Sequence, residues 1–234
     1  MEIYVQKFYL EHEKLTGSIE RLCLRIGERF PGSGLLNVCE NLLKVARQAE
    51  INIGNIARPN WRARLITFLF VMIVFFALVY AVMSLNVDFE NVVFGQLIQI
   101  SEAALNEIIL IGAAVIFLLS LENRIKRKKI ITEINGLRFI AHIIDMHQLT
   151  KDPKAATGTW EATEHSPKRK MTPFELSRYL DYCSEMLSFI SKVGFLYIQD
   201  YNDPQTVNAV NELEVLTTGL SQKIWQKIML IRDA

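Results

Sequence analysis

The sequence predicts an all-α protein: a two-helix transmembrane hairpin with a cytosolic helical bundle formed by the N- and C-terminal segments. Three observations point there. Two apolar blocks lie between Leu65 and Leu121, the flanks carry apolar residues at helical spacing, and no segment shows the alternation of a half-buried strand. The 234 residues are 50% hydrophobic and 22% charged, and mean hydropathy is +0.19. A soluble enzyme of this size normally lies below zero, and a disordered chain or a disulfide scaffold has a different composition altogether.

The cytosolic part begins with a helix over residues 2–30, with a break expected near Thr16-Gly17-Ser18. Pro31-Gly32-Ser33-Gly34 reads as a turn that caps the next helix. No Gly-Lys-Ser/Thr follows these glycines and no strand precedes them, so a phosphate loop is not expected. Leu35 to Ala49 forms the second helix, with Leu35, Leu36, Val38, Leu42, Leu43 and Val45 as its apolar stripe.

Leu65 to Leu85 is 21 consecutive residues without a charge. A helix needs about 20 apolar residues to cross the hydrocarbon core, so this block is a span. The second block, Ile108 to Leu121, has 14 uncharged residues. It reaches a full span over 103–122 only by including Glu107. That carboxylate either marks the outer interface or lines a pore formed by several copies, where an acidic ring favours cations. Gly112, Ala113 and Ala114 give this span a small face for close helix packing between copies. Two spans cannot enclose a pore alone, so the pore reading requires a homo-oligomer in the lipid bilayer.

Charge sets the orientation. Arg58, Arg62 and Arg64 precede the first span, and Arg124, Lys126, Arg127, Lys128 and Lys129 follow the second. Both flanks should therefore face the cytosol. The connector 86–102 lies outside; residues 86–107 carry four acids (Asp88, Glu90, Glu102, Glu107) and no base. The domains are then 1–62, 63–122 and 123–234, with both termini cytosolic. No secretory signal peptide is expected at the N-terminus, because Glu2 and a mixed polar helix follow Met1.

Beyond the hairpin, Glu122 to about Leu149 continues as helix, and 151–171 is a polar loop holding Lys168-Arg169-Lys170. Thr172-Pro173-Phe174-Glu175 carries the signature of a capping box, and its helix runs to about Ile198. Asn202-Asp203-Pro204 starts the last helix, with Val207, Val210, Leu213, Leu216, Leu220, Ile224, Ile228 and Leu230 facing the core.

Chemistry is sparse. Net charge is +1, which gives no nucleic-acid signal. Cys23, Cys39 and Cys183 have no metal-ligand spacing and read as reduced, buried thiols. No nucleophile elbow, zincin helix or dinucleotide fingerprint occurs, so neither an enzyme nor a cofactor is expected. His12 and His165 read as solvent-facing. The densest polar run is 141–153. His142 and Asp145 share a helix face there, and His147 lies poorly for it. Asp145, His147, Lys151 and Asp152 form either a partner- or ligand-binding site or a hydrogen-bonded helix end, with Lys151 and Asp152 as cap and turn before Pro153.

The layout resembles the two-transmembrane effectors of bacterial anti-phage defence systems. Leu65–Leu85 and Ala103–Glu122 as a short hairpin, cytosolic helices beside it and the lack of an enzyme motif carry that resemblance, which spans the whole chain. Within the group it is similar to the membrane effectors encoded beside retron reverse transcriptases. The run from Asp145 to Pro153 also looks like one found in bacterial two-span proteins. The resemblance implies a protein held inactive by a reverse transcriptase–nucleic acid complex. On infection it is released to damage the inner membrane. It supplies no catalytic residue. The other reading is a membrane-anchored scaffold or sensor whose cytosolic helices bind a partner, with the hairpin as tether.

Overall fold

A computed structural model describes residues 9–84, 94–154, 164–165 and 171–232. Six helices of a turn and a half or more are described: α1 (His12–Arg29), α2 (Gly34–Ala57), α3 (Trp61–Ser84), α4 (Phe94–Leu149), α5 (Pro173–Leu196) and α6 (Pro204–Arg232). No strand occurs among the described residues. The chain divides into two compact units, one of Met1–Ala57 with Lys129–Ala234 and one of Arg58–Lys128.

Local chemistry explains where the helices start and stop. Ser33 N–H donates to the Phe30 carbonyl at 3.2 Å, closing a turn with Pro31 second and Gly32 third. Gly32 has φ +65°, the left-handed conformation that this turn position demands of glycine. Ser33 then caps α2, its Oγ accepting from Leu36 N–H at 3.2 Å. Thr172 and Glu175 form the reciprocal capping box: Glu175 N–H donates to Thr172 Oγ1 and Thr172 N–H to Glu175 Oε2. Asp203 Oδ2 accepts from the N–H groups of Gln205 and Thr206 and starts α6.

Two helices depart from expectation. α1 is unbroken through Gly17. Thr16 Oγ1 and Ser18 Oγ donate to carbonyls one turn back, at His12 and Lys14, so the hydroxyls that favour a break are absorbed by the helix itself. α4 runs 56 residues without interruption. The expected second span and its helical continuation to Leu149 are one helix, and residues 94–102 of the expected connector belong to it as well. The rest of the connector, residues 86–93, lies outside the described residues, as do the N-terminal turns of α1's expected range and Lys168-Arg169-Lys170.

The first unit is a bundle of α1, α2, α5, α6 and the C-terminal part of α4. α5 is its axis: Leu176, Tyr179, Leu180, Tyr182, Cys183, Met186, Leu187, Ile190, Val193, Gly194 and Leu196 are all buried. A helix buried on several sides needs neighbours on several sides. α1 supplies one, with Phe30 edge-on to Tyr179 and Tyr182 at 5.5 and 6.3 Å and Arg25 paired with Glu185. α4 supplies another through Ile134 and Leu137, which meet α5 at Gly194. A Cβ on Gly194 would lie 2.7 Å from Leu213 of α6, so three helices close on the bare backbone there. α6 turns Val210, Leu213, Leu220, Ile224, Ile228 and Ile231 inward. Leu230, expected in this core, is exposed, and Ile231 takes the place. The helical phase at the last turn is set by Ile224 and Ile228, and Ile231 continues their stripe while Leu230 falls beside it.

The second unit is different in kind. On α3, Leu65, Ile66, Phe68, Leu69, Ile73, Phe75 and Phe76 are exposed; on α4, Leu105, Ile108, Ile109, Leu110, Ile116 and Leu119 are. Among the described residues one helix is long and apolar enough to cross a membrane. It lies within Leu105–Leu149, and none of its apolar window is buried by the rest of the chain. The apolar run Arg64–Ala77 on α3 is shorter.

The bundle core sets the stability of the first unit. Ile190→Ala, at a fully buried position on α5, is expected to cost about 2–5 kcal/mol. Leu24→Ala, on the exposed face of α1, is expected to cost no more than about 0.5 kcal/mol. Thermal unfolding of the detergent-solubilised chain by circular dichroism reads both, and equal shifts would contradict the assigned core.

Candidate functional site

The residues 141–153 do not form one site. His142 is exposed on the outer face of α4 and takes no part in the contacts below. Gln148, 2% exposed, is the centre of the remainder. Its amide Nε2 donates to Asp145 Oδ1 at 2.6 Å. Its backbone carbonyl, one of the last in α4, accepts from Lys151 N–H at 3.1 Å and from Lys227 Nζ at 2.8 Å. Lys227 comes from α6 and places a cation at the negative end of the α4 dipole. Asp152 Oδ1 accepts from Lys154 N–H at 2.9 Å and forms the turn. The Lys151 ammonium lies 5.0 Å from the ring of Tyr179. Gln148, Asp145 and Asp152 thus form a hydrogen-bonded helix end.

His147 has a separate partner. A Cβ built on Gly34 would lie 2.5 Å from His147 Cε1 and 3.3 Å from Nε2. The imidazole therefore rests on the bare backbone at the start of α2. Gly34 is required for this close approach, which sequence spacing across 113 positions gives no hint of.

The electrostatics of this end are those of a dry cap. Burial pushes the Lys227 amine below the ordinary lysine range, and Asp152 and Asp145 pull it partly back. Burial pushes the Cys183 thiol up to about 12, against the pull of Lys151 and Lys227. A thiol held neutral and fully buried is a poor nucleophile at neutral pH. No group of three or more His, Cys, Asp or Glu side chains gathers to hold a metal among the described residues.

In the second unit, Glu107 is exposed on α4 between Leu105 and Ile108, which are exposed too. No hydrogen bond or ion pair within the described residues engages it. Gly112 and Ala114 are half-buried and Ala113 is exposed, and a Cβ on Gly112 would meet nothing within 4 Å. The small face is thus unpacked within one copy of the chain.

Three arrangements were not expected from sequence. Glu122 Oε2 accepts from Arg64 Nε at 2.9 Å, its Oε1 lies 3.1 Å from Lys126 Nζ, and Asn60 N–H reaches it at 3.3 Å. These contacts fasten the start of α3 to α4 at residue 122. Charges ending two apolar blocks are the available signal, but which acid meets which base is not written in it. Cys23 of α1 and Cys39 of α2 meet as hydrogen-bonded free thiols, and burial beside its neighbour holds the Cys39 thiol up. His12, expected in solvent, is half-buried: its Nε2–H donates to the Ala46 carbonyl at 2.7 Å, and Nδ1 lies 3.1 Å from Glu50. His165 is exposed as expected.

No family model matches the chain, and no curated protein or solved structure matches it significantly.

Two outcomes test this end of the bundle. Gly34→Ala is expected to destabilise the fold by about 1–3 kcal/mol through the clash with His147. His147→Ala in the same chain is expected to recover much of that loss, and additive effects in a double-mutant cycle would deny the contact. Cys183 makes the second test. Its thiol ionises at about 9 when unfolded and about 12 when folded. The unfolded chain therefore releases the proton first, and the stability present below pH 9 is lost as pH rises through 12. Cys183→Ala is expected to flatten that alkaline loss in denaturant titrations at pH 8 to 11, after allowance for its lower starting stability.

Proposed function

We propose that this chain is a membrane-perturbing effector of a bacterial anti-phage, abortive-infection system that oligomerises in the inner membrane. α3 and α4 form its two-span hairpin, with both termini in the cytosol. The observation that carries the reading is Glu107, an exposed carboxylate with no partner among the described residues, beside exposed Leu105, Ile108 and Ile109. In hydrocarbon a lone carboxylate is costly, and it is accommodated by a partner copy or a water-filled path. Gly112, Ala113 and Ala114 offer the close-packing face that copies would share.

Further features support the hairpin. Trp61 of α3 is 75% exposed and lies four positions before Leu65, where an amphipathic aromatic ring suits the boundary of the hydrocarbon core. The Arg64–Glu122 pair brings the start of α3 to the far part of α4, as antiparallel spans require. The resemblance to retron-associated effectors adds the resting state: a reverse transcriptase–nucleic acid complex holds the cytosolic bundle until infection.

A second reading is favoured by one surface. Gln222, Trp225, Gln226, Met229 and Leu230 line a shallow, open depression on the outer face of α6. An exposed apolar patch with a polar rim is a binding surface. In that reading the bundle is a scaffold or sensor and the hairpin a tether.

Brief induction of this chain in bacteria, read with a potential-sensitive dye, separates the two. The effector reading expects rapid depolarisation that Glu107→Gln and Gly112→Leu both blunt at equal membrane abundance. Full depolarisation by both variants would reject the pore geometry. Function that survives replacement of residues 65–122 by unrelated spans would favour the tether.

A further inference from the structure

We propose that the basic end of residues 58–128 binds the phosphodiester headgroups of anionic phospholipids, with Arg58, Arg62 and Arg124 as the contacting side chains. The proposal rests on the reading of α3 and α4 as a membrane hairpin.

Residues 58–64 and 122–128 hold seven cations against one carboxylate, Glu122, a surplus of six positive charges. The contacts of Glu122 with Arg64, Lys126 and Asn60 N–H bring these two runs to one end of the unit. They also use that carboxylate up, so it cannot neutralise the others. Arg58, Arg62 and Arg124 are exposed. The Arg124 guanidinium lies 5.0 Å from the ring of Phe117, which places it where the apolar surface of α4 begins. Trp61 sits between Arg58 and Arg62 and is exposed, so an indole N–H, a hydrogen-bond donor, accompanies the guanidinium groups.

The chemistry of the ligand follows from what borders these cations. Exposed Leu65, Ile66 and Phe68 begin directly after Arg64. A nucleic acid would meet the cations and leave that apolar surface in water. An anionic phospholipid meets both, its phosphodiester taking paired N–H donors from a guanidinium and its acyl chains covering the leucine and phenylalanine side chains.

The test uses the full chain in nanodiscs of phosphatidylcholine containing a minority of phosphatidylglycerol, with native mass spectrometry counting the lipids that stay bound. The wild type is expected to retain phosphatidylglycerol above its share of the disc. The triple variant Arg58→Gln, Arg62→Gln, Arg124→Gln is expected to lose that enrichment, by roughly fivefold per arginine removed. The lysine versions are expected to keep part of it. Arg47→Gln, a surface arginine paired with Glu20 in the bundle, removes one charge elsewhere and should leave enrichment unchanged. Retained enrichment in the triple variant, or none in the wild type, overturns the proposal while the membrane reading stands. A chain that enters no bilayer overturns the membrane reading and the lipid site with it.

Discussion

Helix α4 runs from Phe94 to Leu149 without a break, yet its side chains obey two different rules along the way. Up to Leu119 many apolar residues, Leu105, Ile108, Ile109, Leu110, Ile116 and Leu119 among them, are exposed. From Ile130 onward one stripe (Ile130, Ile134, Leu137, Ala141, Ile144) is buried, while Phe139, Ile143, Met146 and Leu149 stay exposed and Arg138 pairs with Glu212. An outward apolar face is stable in lipid and unstable in water, and a single buried stripe is the pattern of a helix in a soluble bundle. The eight residues between the two regimes, Glu122 to Lys129, hold six charges. No proline or glycine marks the change, because the backbone does not have to change; only the surroundings do. The rest of the chain is arranged around that helix. α3 shares the outward apolar character, and α1, α2, α5 and α6 build the core into which the inward stripe fits.

The far end of the bundle shows how such a core is sealed. α4 ends there and α2 begins there, so unpaired carbonyls and unpaired N–H groups meet in a buried place. Ser33 caps α2, Lys227 Nζ and Lys151 N–H take the Gln148 carbonyl of α4, and Gly34 leaves room for the edge of the His147 ring against the backbone. Lys227 accepts a lowered amine pKa to do so, which is the usual consequence of drawing a cation out of water. The polar residues that stand out in the sequence at 145–152 are therefore accounted for by helix-end chemistry.

What could be read from the sequence follows the range of the interactions involved. The caps at Ser33, Thr172 and Asp203 involve residues two or three apart, and their positions were legible. So were the helical class and the apolar character of 65–121. The fate of Thr16-Gly17-Ser18 was not, because the packing of Leu15, Ile19 and Leu22 holds α1 straight against a local preference to break. The meeting of Cys23 with Cys39, of Gly34 with His147 and of Arg64 with Glu122 depends on helix pairing, and periodicity along one helix says nothing about the neighbour. The exchange of Leu230 for Ile231 is a smaller failure of the same sort. At a helix end one residue of phase decides which of two adjacent apolar side chains is buried. Of the candidate site residues, Glu107 and Ala113 are exposed and Gly112 and Ala114 half-buried, whereas residues 142–152 separate into an exposed histidine, a glycine contact and a cap.

The order of helices has a consequence for how this protein is made. α2 and the C-terminal part of α4 belong to one core, but the whole unit Arg58–Lys128 lies between them in the chain. α5, the axis of the bundle, comes later still. α1 and α2 can pair early, through local contacts such as Ile19, Leu22 and Leu42, yet their remaining apolar stripe has no cover until Tyr179, Tyr182 and Met186 arrive from residues more than a hundred positions away. Closing so long a loop costs entropy but only logarithmically in its length, and anchoring both its ends at the Glu122 contacts shortens the effective loop. The clamp at Glu122 thus shortens the connection that the first unit must close across.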